Sequence, residues 1–255
     1  MKTTLSAVAL IAALSLTAVA ANPKKPATSQ HLAGTAGEAK KFTDSPSPAP
    51  PSLCHPCLFY GGDLNPADPN AAGMSDENTL LIIGGSSTYA AVNVPVTSTV
   101  YGIQFNVQAS AAFDPETASY DIRTGVSEGN GGTSIASGSG QVVVQATGRN
   151  FIGLNEYTVA VSWGPAVTLS PGEYWFNVTP NCTNTLDGSC NNFRQFVSNS
   201  QITNNLRGSW QPIHEMFLNS SFFGFTWANW CDAELGFNAK QCAGMSFALR
   251  GSESE

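Results

Sequence analysis

The chain has 255 residues, 11 basic and 18 acidic side chains and a net charge of −7, and only 11% of its residues are charged, against a usual ~25%. An acidic chain with no basic patch argues against nucleic acid and anionic membrane surfaces as partners. The length suits one domain with a sizeable all-β core.

Residues 1–21 have the three parts of a secretory signal peptide. Lys2 is the only charge, an apolar run from Leu5 follows, and Ala18-Val19-Ala20 supplies the small residues a signal peptidase needs. No later stretch reaches the ~18 apolar residues required to span a bilayer. The protein is therefore expected to be secreted, extracellular or at the cell surface, without a transmembrane segment. Residues 22–53 are rich in Ala, Pro, Lys, Thr and Ser and lack hydrophobic periodicity, which predicts a disordered spacer. A β domain over 54–251 and a short tail over 252–255 complete the expected organisation.

The six cysteines fall into close pairs: Cys54 with Cys57, Cys182 with Cys190, and Cys231 with Cys242. In an oxidising compartment such a set predicts disulfides, and short spacing favours local pairing without fixing the connectivity. Cys54-His55-Pro56-Cys57 also has the spacing of a redox dithiol, but its flanks offer neither the helix N-terminus nor the βαβ context of that chemistry. A zinc site needs four ligands, and this motif alone supplies two.

Asp63, Asn65, Asp68, Asp76 and Glu77 crowd one turn-rich segment. Hard oxygen ligands in a loop suit a structural Ca²⁺ ion, although the spacing is not that of an EF-hand and Asp and Asn are also ordinary turn residues.

From Cys54 onward the dominant period is two. Tyr101, Ile103, Phe105 and Val107 alternate with Gly102, Gln104, Asn106 and Gln108. Tyr157, Val159, Val161 and Trp163 alternate with Glu156, Thr158, Ala160 and Ser162. Tyr174, Phe176 and Val178 alternate with Glu173, Trp175 and Asn177, and Met245, Phe247 and Leu249 repeat the pattern near the end. Each predicts a strand with one face on the core and one in water. Leu80–Ile83 and Val142–Val144 are continuous apolar runs, expected to be buried on both faces. Gly84-Gly85-Ser86, Gly129-Asn130-Gly131-Gly132, Gly138-Ser139-Gly140 and Ser170-Pro171-Gly172 read as turns. Many short strands divided by Gly-rich turns predict an all-β fold, an antiparallel β-sandwich of jelly-roll-like or Ig-like type.

Two segments carry a resemblance. Tyr120-Asp-Ile-Arg-Thr-Gly-Val-Ser-Glu-Gly-Asn-Gly-Gly-Thr133 with Ala136-Ser-Gly138, and Leu169-Ser-Pro-Gly-Glu-Tyr-Trp-Phe-Asn-Val178, resemble a run shared by exported bacterial β-sandwich proteins, some with PEP-CTERM-type sorting tails. The resemblance spans about residues 90–180. It implies a fold and an exported location but no catalytic residues, and Arg250-Gly-Ser-Glu-Ser-Glu255 is not such a tail.

Nucleophile signatures are missing: there is no Gly-x-Ser-x-Gly and no His-Glu-x-x-His. A Ser–His–acid triad would have to use His55 or His214. Asp121, Glu156 and Glu173 lie on the polar faces of predicted strands. If those strands share a sheet, they would offer the paired carboxylates of a carbohydrate-active hydrolase. The aromatics are more suggestive. Trp175 points away from the face of Tyr174 and Phe176, and Trp210, Trp227 and Trp230 follow. Exposed rings stack on sugars and anchor partners. The leading expectation is thus a secreted, non-catalytic domain that binds glycan or cell-envelope polymer. A secreted hydrolase and a purely structural surface or matrix protein are the alternatives. Asn177, Asn181 and Asn219 open glycosylation sequons.

Overall fold

The computed structural model describes residues 57–65, 71, 73–79, 85–109, 113–151, 153–182, 195–200, 207–208, 210–229 and 244–254. The expected signal peptide, the spacer, Cys54, Asp68, Leu80–Ile83, Cys190, Trp230, Cys231 and Cys242 lie outside these residues. Cys57 is disulfide-bonded, and its partner is not among the described residues.

The described residues form an all-β fold. Its strands are β1 (Cys57–Tyr60), β2 (Gly73–Ser75), β3 (Asn78–Thr79), β4 (Ser86–Val94), β5 (Ser98–Ala109), β6 (Thr117–Thr124) and β7 (Thr133–Phe151). They continue with β8 (Leu154–Leu169), β9 (Gly172–Cys182), β10 (Gln195–Ser198), β11 (Arg207–Gly208), β12 (Gln211–Ser220), β13 (Phe225–Asn229) and β14 (Phe247–Glu253). They hydrogen-bond in the order β11-β1-β14-β5-β8-β7-β6-β9-β4-β12-β13, with β10 joining β2 and β5, and β3 joining β9. Pairing is antiparallel except between β3 and β9. No described helix is long and apolar enough to cross a membrane.

The 19-residue β7 links two halves of this sheet. Its first part, Thr133–Gln141, pairs with β6, and Val142–Phe151 pairs with β8. Alternate residues of the two halves meet in one core. Ile103, Phe105, Val159, Phe247 and Leu249 come from one half, and Val92, Ile122, Phe176, Val178 and Leu218 from the other. Phe176 of β9 and Phe247 of β14 bring their ring centres to 6.1 Å.

The period-two reading placed the apolar faces of β5, β8, β9 and β14, but it misplaced several polar ones. Gln104, Asn106, Gln108, Glu156 and Thr158 were expected in water and are at most 1% exposed. They form a second, polar layer behind the sheet. Thr158 donates to Asn106 (2.7 Å), Asn106 to Ser246 (2.6 Å), and Gln108 to Ser198 (3.1 Å). Buried polar groups are tolerated when they hydrogen-bond one another in this way.

Two further expectations are corrected. Val142–Val144 is not buried on both faces, for Val143 is 54% exposed. Gly138-Ser139-Gly140 is not a turn but lies inside β7. A Cβ on Gly138 would stand 3.1 Å from the Tyr120 ring, and one on Gly140 3.0 Å from Val161. These glycines permit close approach within a strand.

Candidate functional site

The strand alternation sends Trp175 to the outer face of β9, as read from the sequence, but that face is covered. Trp175 is 4% exposed and packs with Tyr89, Ala91, Val126, Phe217 and Trp227 in a second apolar cluster. The cover is the loop between β6 and β7. It bends back across the sheet to β13, where Gly129 N–H donates to the Trp227 carbonyl (3.1 Å) and Asn229 N–H donates to the Glu128 carboxylate (2.6 Å). Gly125, Gly129 and Gly132 take φ of 66°, 71° and 59° in this strap, a region that favours glycine. Gly131 lies so close to Trp227 that a Cβ there would approach Cε2 to 2.3 Å.

Charged groups at the strap's root are consumed by it. Asp121 accepts from Tyr89 Oη (2.9 Å), Ser134 Oγ (2.6 Å) and Arg123 Nε. Arg123 also donates to the Gly131 carbonyl (2.8 Å) and lies over the Trp227 ring at 4.8 Å from its centre. Burial pulls the Arg123 pKa down, but the hydrogen bond and charge of Asp121 outweigh it and the net shift is upward. The Tyr120–Thr133 segment that carries the resemblance is thus a fastening: Ile122 enters the core while Asp121 and Arg123 clamp the strap.

The three candidate carboxylates do not converge. Glu173 is exposed on β9 opposite Asn93, and Asp121 stands opposite Asn177, four residues further along that strand. Glu156 belongs to the other half of the sheet, on β8 opposite Gln108. There Arg149 sits between Glu156 and Asp63, both fully buried, at 3.1 Å from Asp63. Tyr60 Oη donates to Asp63, and Ser198 and Thr147 donate to Glu156 at 2.8 and 2.9 Å. Burial raises the Glu156 pKa despite the opposing charge of Arg149, because one guanidinium cannot fully compensate two buried acids. The two carboxylates of the trio are sealed from solvent and committed to Arg149.

Four members of the expected Ca²⁺ set are among the described residues. Asp63 is held by Arg149 and Tyr60, Asn65 is exposed, and Asp76 lies with Glu77 where the chain crosses between the halves. Asp76 fills the gap where β4 and β9 part beyond the Ala90–Phe176 pair. Its Oδ1 accepts from Thr88 N–H (3.2 Å), Asn177 Nδ2 (3.0 Å) and Thr179 Oγ1 (2.8 Å). Desolvation lifts its carboxyl to about 8, against those hydrogen bonds. No group of three or more His, Cys, Asp or Glu that could hold a metal occurs among the described residues.

Trp210 is fully buried in the main core and Trp227 is 9% exposed. The described tryptophans therefore act as packing. Asn177 is 3% exposed, which closes that sequon to a glycan. The side chain of His214 lies outside the described residues.

An open feature of the described surface lies elsewhere. At the tip of the β12–β13 hairpin, Gly85, Ser87, Asn219, Ser221, Gly224 and Thr226 line a shallow polar cleft. Phe222, between Ser221 and Gly224, is 54% exposed and meets Phe223 edge-on at 5.0 Å. Ser87 at the cleft contacts Thr179 (3.3 Å), which joins the site to the Asp76 network. In this stretch the sequence singles out Trp227 and Trp230 and not Phe222. A usable signal was the position of Phe222 within Asn219-Ser-Ser-Phe-Phe-Gly224, where a turn needs only polar residues and glycine. The chain matches no protein-family model, no curated protein and no solved structure.

Proposed function

We propose that the chain is an exported, non-catalytic surface protein that binds a glycan or cell-envelope polymer at the β12–β13 hairpin. The observation that carries this reading is the exposed Phe222 on a hairpin turn whose neighbouring residues, Asn219, Ser221 and Gly224 among them, line a cleft of hydroxyl and amide side chains. A flat apolar ring offers a stacking surface for a pyranose, and Ser87, Asn219, Ser221 and Thr226 supply neutral donors and acceptors for its hydroxyls. The acidic, weakly charged composition accords with a neutral ligand. The dispersal of Asp121, Glu156 and Glu173, each on a different strand and two of them committed to ion pairs, speaks against the hydrolase alternative.

Retention of the purified chain on immobilised cell-wall polysaccharides tests the proposal. Phe222→Ala and Asn219→Ala should each release it while leaving the melting temperature within a degree or two, since Phe222 is largely exposed. A parent chain that no polysaccharide retains, or a Phe222→Ala variant retained like the parent, would overturn the proposal. The first outcome would favour the purely structural alternative, to which the burial of Trp175 and Trp210 also inclines.

A further inference from the structure

We infer that Asn130 in the β6–β7 strap converts spontaneously to aspartate and isoaspartate through a succinimide closed by the Gly131 backbone nitrogen, and that the conversion releases the strap from Trp227. Asn130-Gly131 is the one Asn-Gly pair in the sequence. It follows a tight turn, where Ser127 and Asn130 exchange two backbone hydrogen bonds of 2.9 Å across Glu128 and Gly129. Asn130 is exposed, as are Gly129 and Gly132, so water and base reach the side chain.

Ring closure needs a nucleophile, an electrophile and a leaving group held together. The nucleophile is the Gly131 nitrogen. No side chain at 131 shields it, and among the described residues nothing accepts from its N–H. The electrophile is the Asn130 side-chain carbonyl. Gly132 N–H donates to its Oδ1 at 3.0 Å, which folds the side chain back along the backbone that follows it. The same donor meets the negative charge that grows on Oδ1 as the nitrogen attacks. A bond forms from the Gly131 nitrogen to Cγ, the Cγ–Nδ2 bond breaks, and Nδ2 leaves as ammonia with the proton from Gly131. Water then opens the ring, with nothing oxidised or reduced. Addition at Cγ gives aspartate. Addition at the former Asn130 main-chain carbonyl gives isoaspartate, in which the chain runs through Cβ and Cγ.

The strap has no room for the product. Isoaspartate adds one carbon to the backbone path, about 1.5 Å, and takes the carbonyl that accepts from Ser127 out of the main chain. The next residue is Gly131. A Cβ there would already stand 2.3 Å from Trp227 Cε2, and the Gly131 carbonyl accepts from Arg123 at 2.8 Å. The longer path displaces Gly131 from the ring, from the guanidinium, or from both. Either product also sets a new carboxylate two residues from Glu128, which caps the Asn229 N–H, and like charges repel. Trp175 and Trp227, which the strap covers, then open to solvent.

Incubation of the purified, folded chain for days in mildly alkaline buffer, followed by peptide mapping with isoaspartyl methyltransferase labelling, tests the inference. Isoaspartate and aspartate should accumulate at position 130, and more slowly in mildly acidic buffer, because the Gly131 nitrogen must lose its proton. Asn199 and Asn219, each followed by a serine whose side chain crowds the nitrogen, should convert about tenfold more slowly or less. Tryptophan emission of the incubated parent should move to longer wavelength in step with conversion. Asn130→Gln, which would have to close a larger ring, should keep its emission when incubated alongside. An Asn130 that stays an amide in the folded chain, conversion without an emission shift, or the same shift in Asn130→Gln would each overturn the inference. None of these readouts depends on glycan retention.

Discussion

The Arg123 guanidinium lies 4.8 Å from the centre of the Trp227 ring while its Nε donates to Asp121 two residues away. One side chain thereby ties the root of the β6–β7 strap to the aromatic residue that the strap covers. A planar fork can stack on the ring and bond both Asp121 and the Gly131 carbonyl, whereas an ammonium cannot. Arg123→Lys is expected to lose about 0.5–1.5 kcal/mol of stability. Urea unfolding followed by tryptophan fluorescence measures it, and Lys matching Arg would show that only the charge matters.

Gly131→Ala tests the same contact from the other side. The added Cβ would fall 2.3–2.6 Å from three atoms of the Trp227 indole, so strap or ring must move. The expected cost is about 1–3 kcal/mol. Gly129→Ala, which meets nothing within 4 Å, tests φ strain alone at 71° and should cost about 1–2 kcal/mol.

Arg149→Met should be the most damaging single change among these. It would leave Asp63 and Glu156 buried without their cation, a loss of about 3–5 kcal/mol. The triple replacement Arg149→Met, Asp63→Asn, Glu156→Gln should recover part of that loss. Equilibrium denaturation of both variants gives the comparison.

Asp76 makes stability depend on pH. Its folded carboxyl titrates at about 8 because it is desolvated, whereas in the unfolded chain an aspartate titrates near 4. Between those values the folded form binds more protons than the unfolded form, so stability falls as pH rises. The contribution is complete below about pH 4 and is lost on passing pH 8. Asp76→Asn keeps an acceptor for Thr88, Asn177 and Thr179 and removes the titration. Melting temperatures from pH 5 to 8.5 should fall for the parent and fall less steeply for the variant. Some slope remains, because the Glu156 pKa is raised in the same direction.

The fold class was legible because core faces leave a simple trace. Ile103, Phe105, Val159, Val161, Phe176, Phe247 and Leu249 announce strands by alternation, and all are buried. The other faces were illegible for a physical reason. Period-two patterning shows which side of a strand is apolar, but not whether the polar side meets water or further protein. Asn106, Gln108 and Glu156 read as solvent-facing and are buried in a hydrogen-bonded layer. Trp175 was placed on the correct side, yet its cover comes from a loop on another strand pair. Val143 shows the converse: a run of three valines suggests a doubly buried strand until the neighbours of β7 are known. The Ser87–Asn219 cleft joins residues more than a hundred positions apart, a proximity that no local pattern carries.

The β7 strand also bears on how the domain comes apart. It runs from Thr133 to Phe151 as the last partner of β6 in one half and of β8 in the other. Neither half therefore has a complete edge of its own, and the hydrogen bonds of both end on the same backbone. The halves cannot melt separately without one stripping the other, so calorimetry should show a single cooperative transition. A protease nick at Gln141–Val142 would threaten both halves at once, whereas a nick in a terminal strand would only shorten an edge.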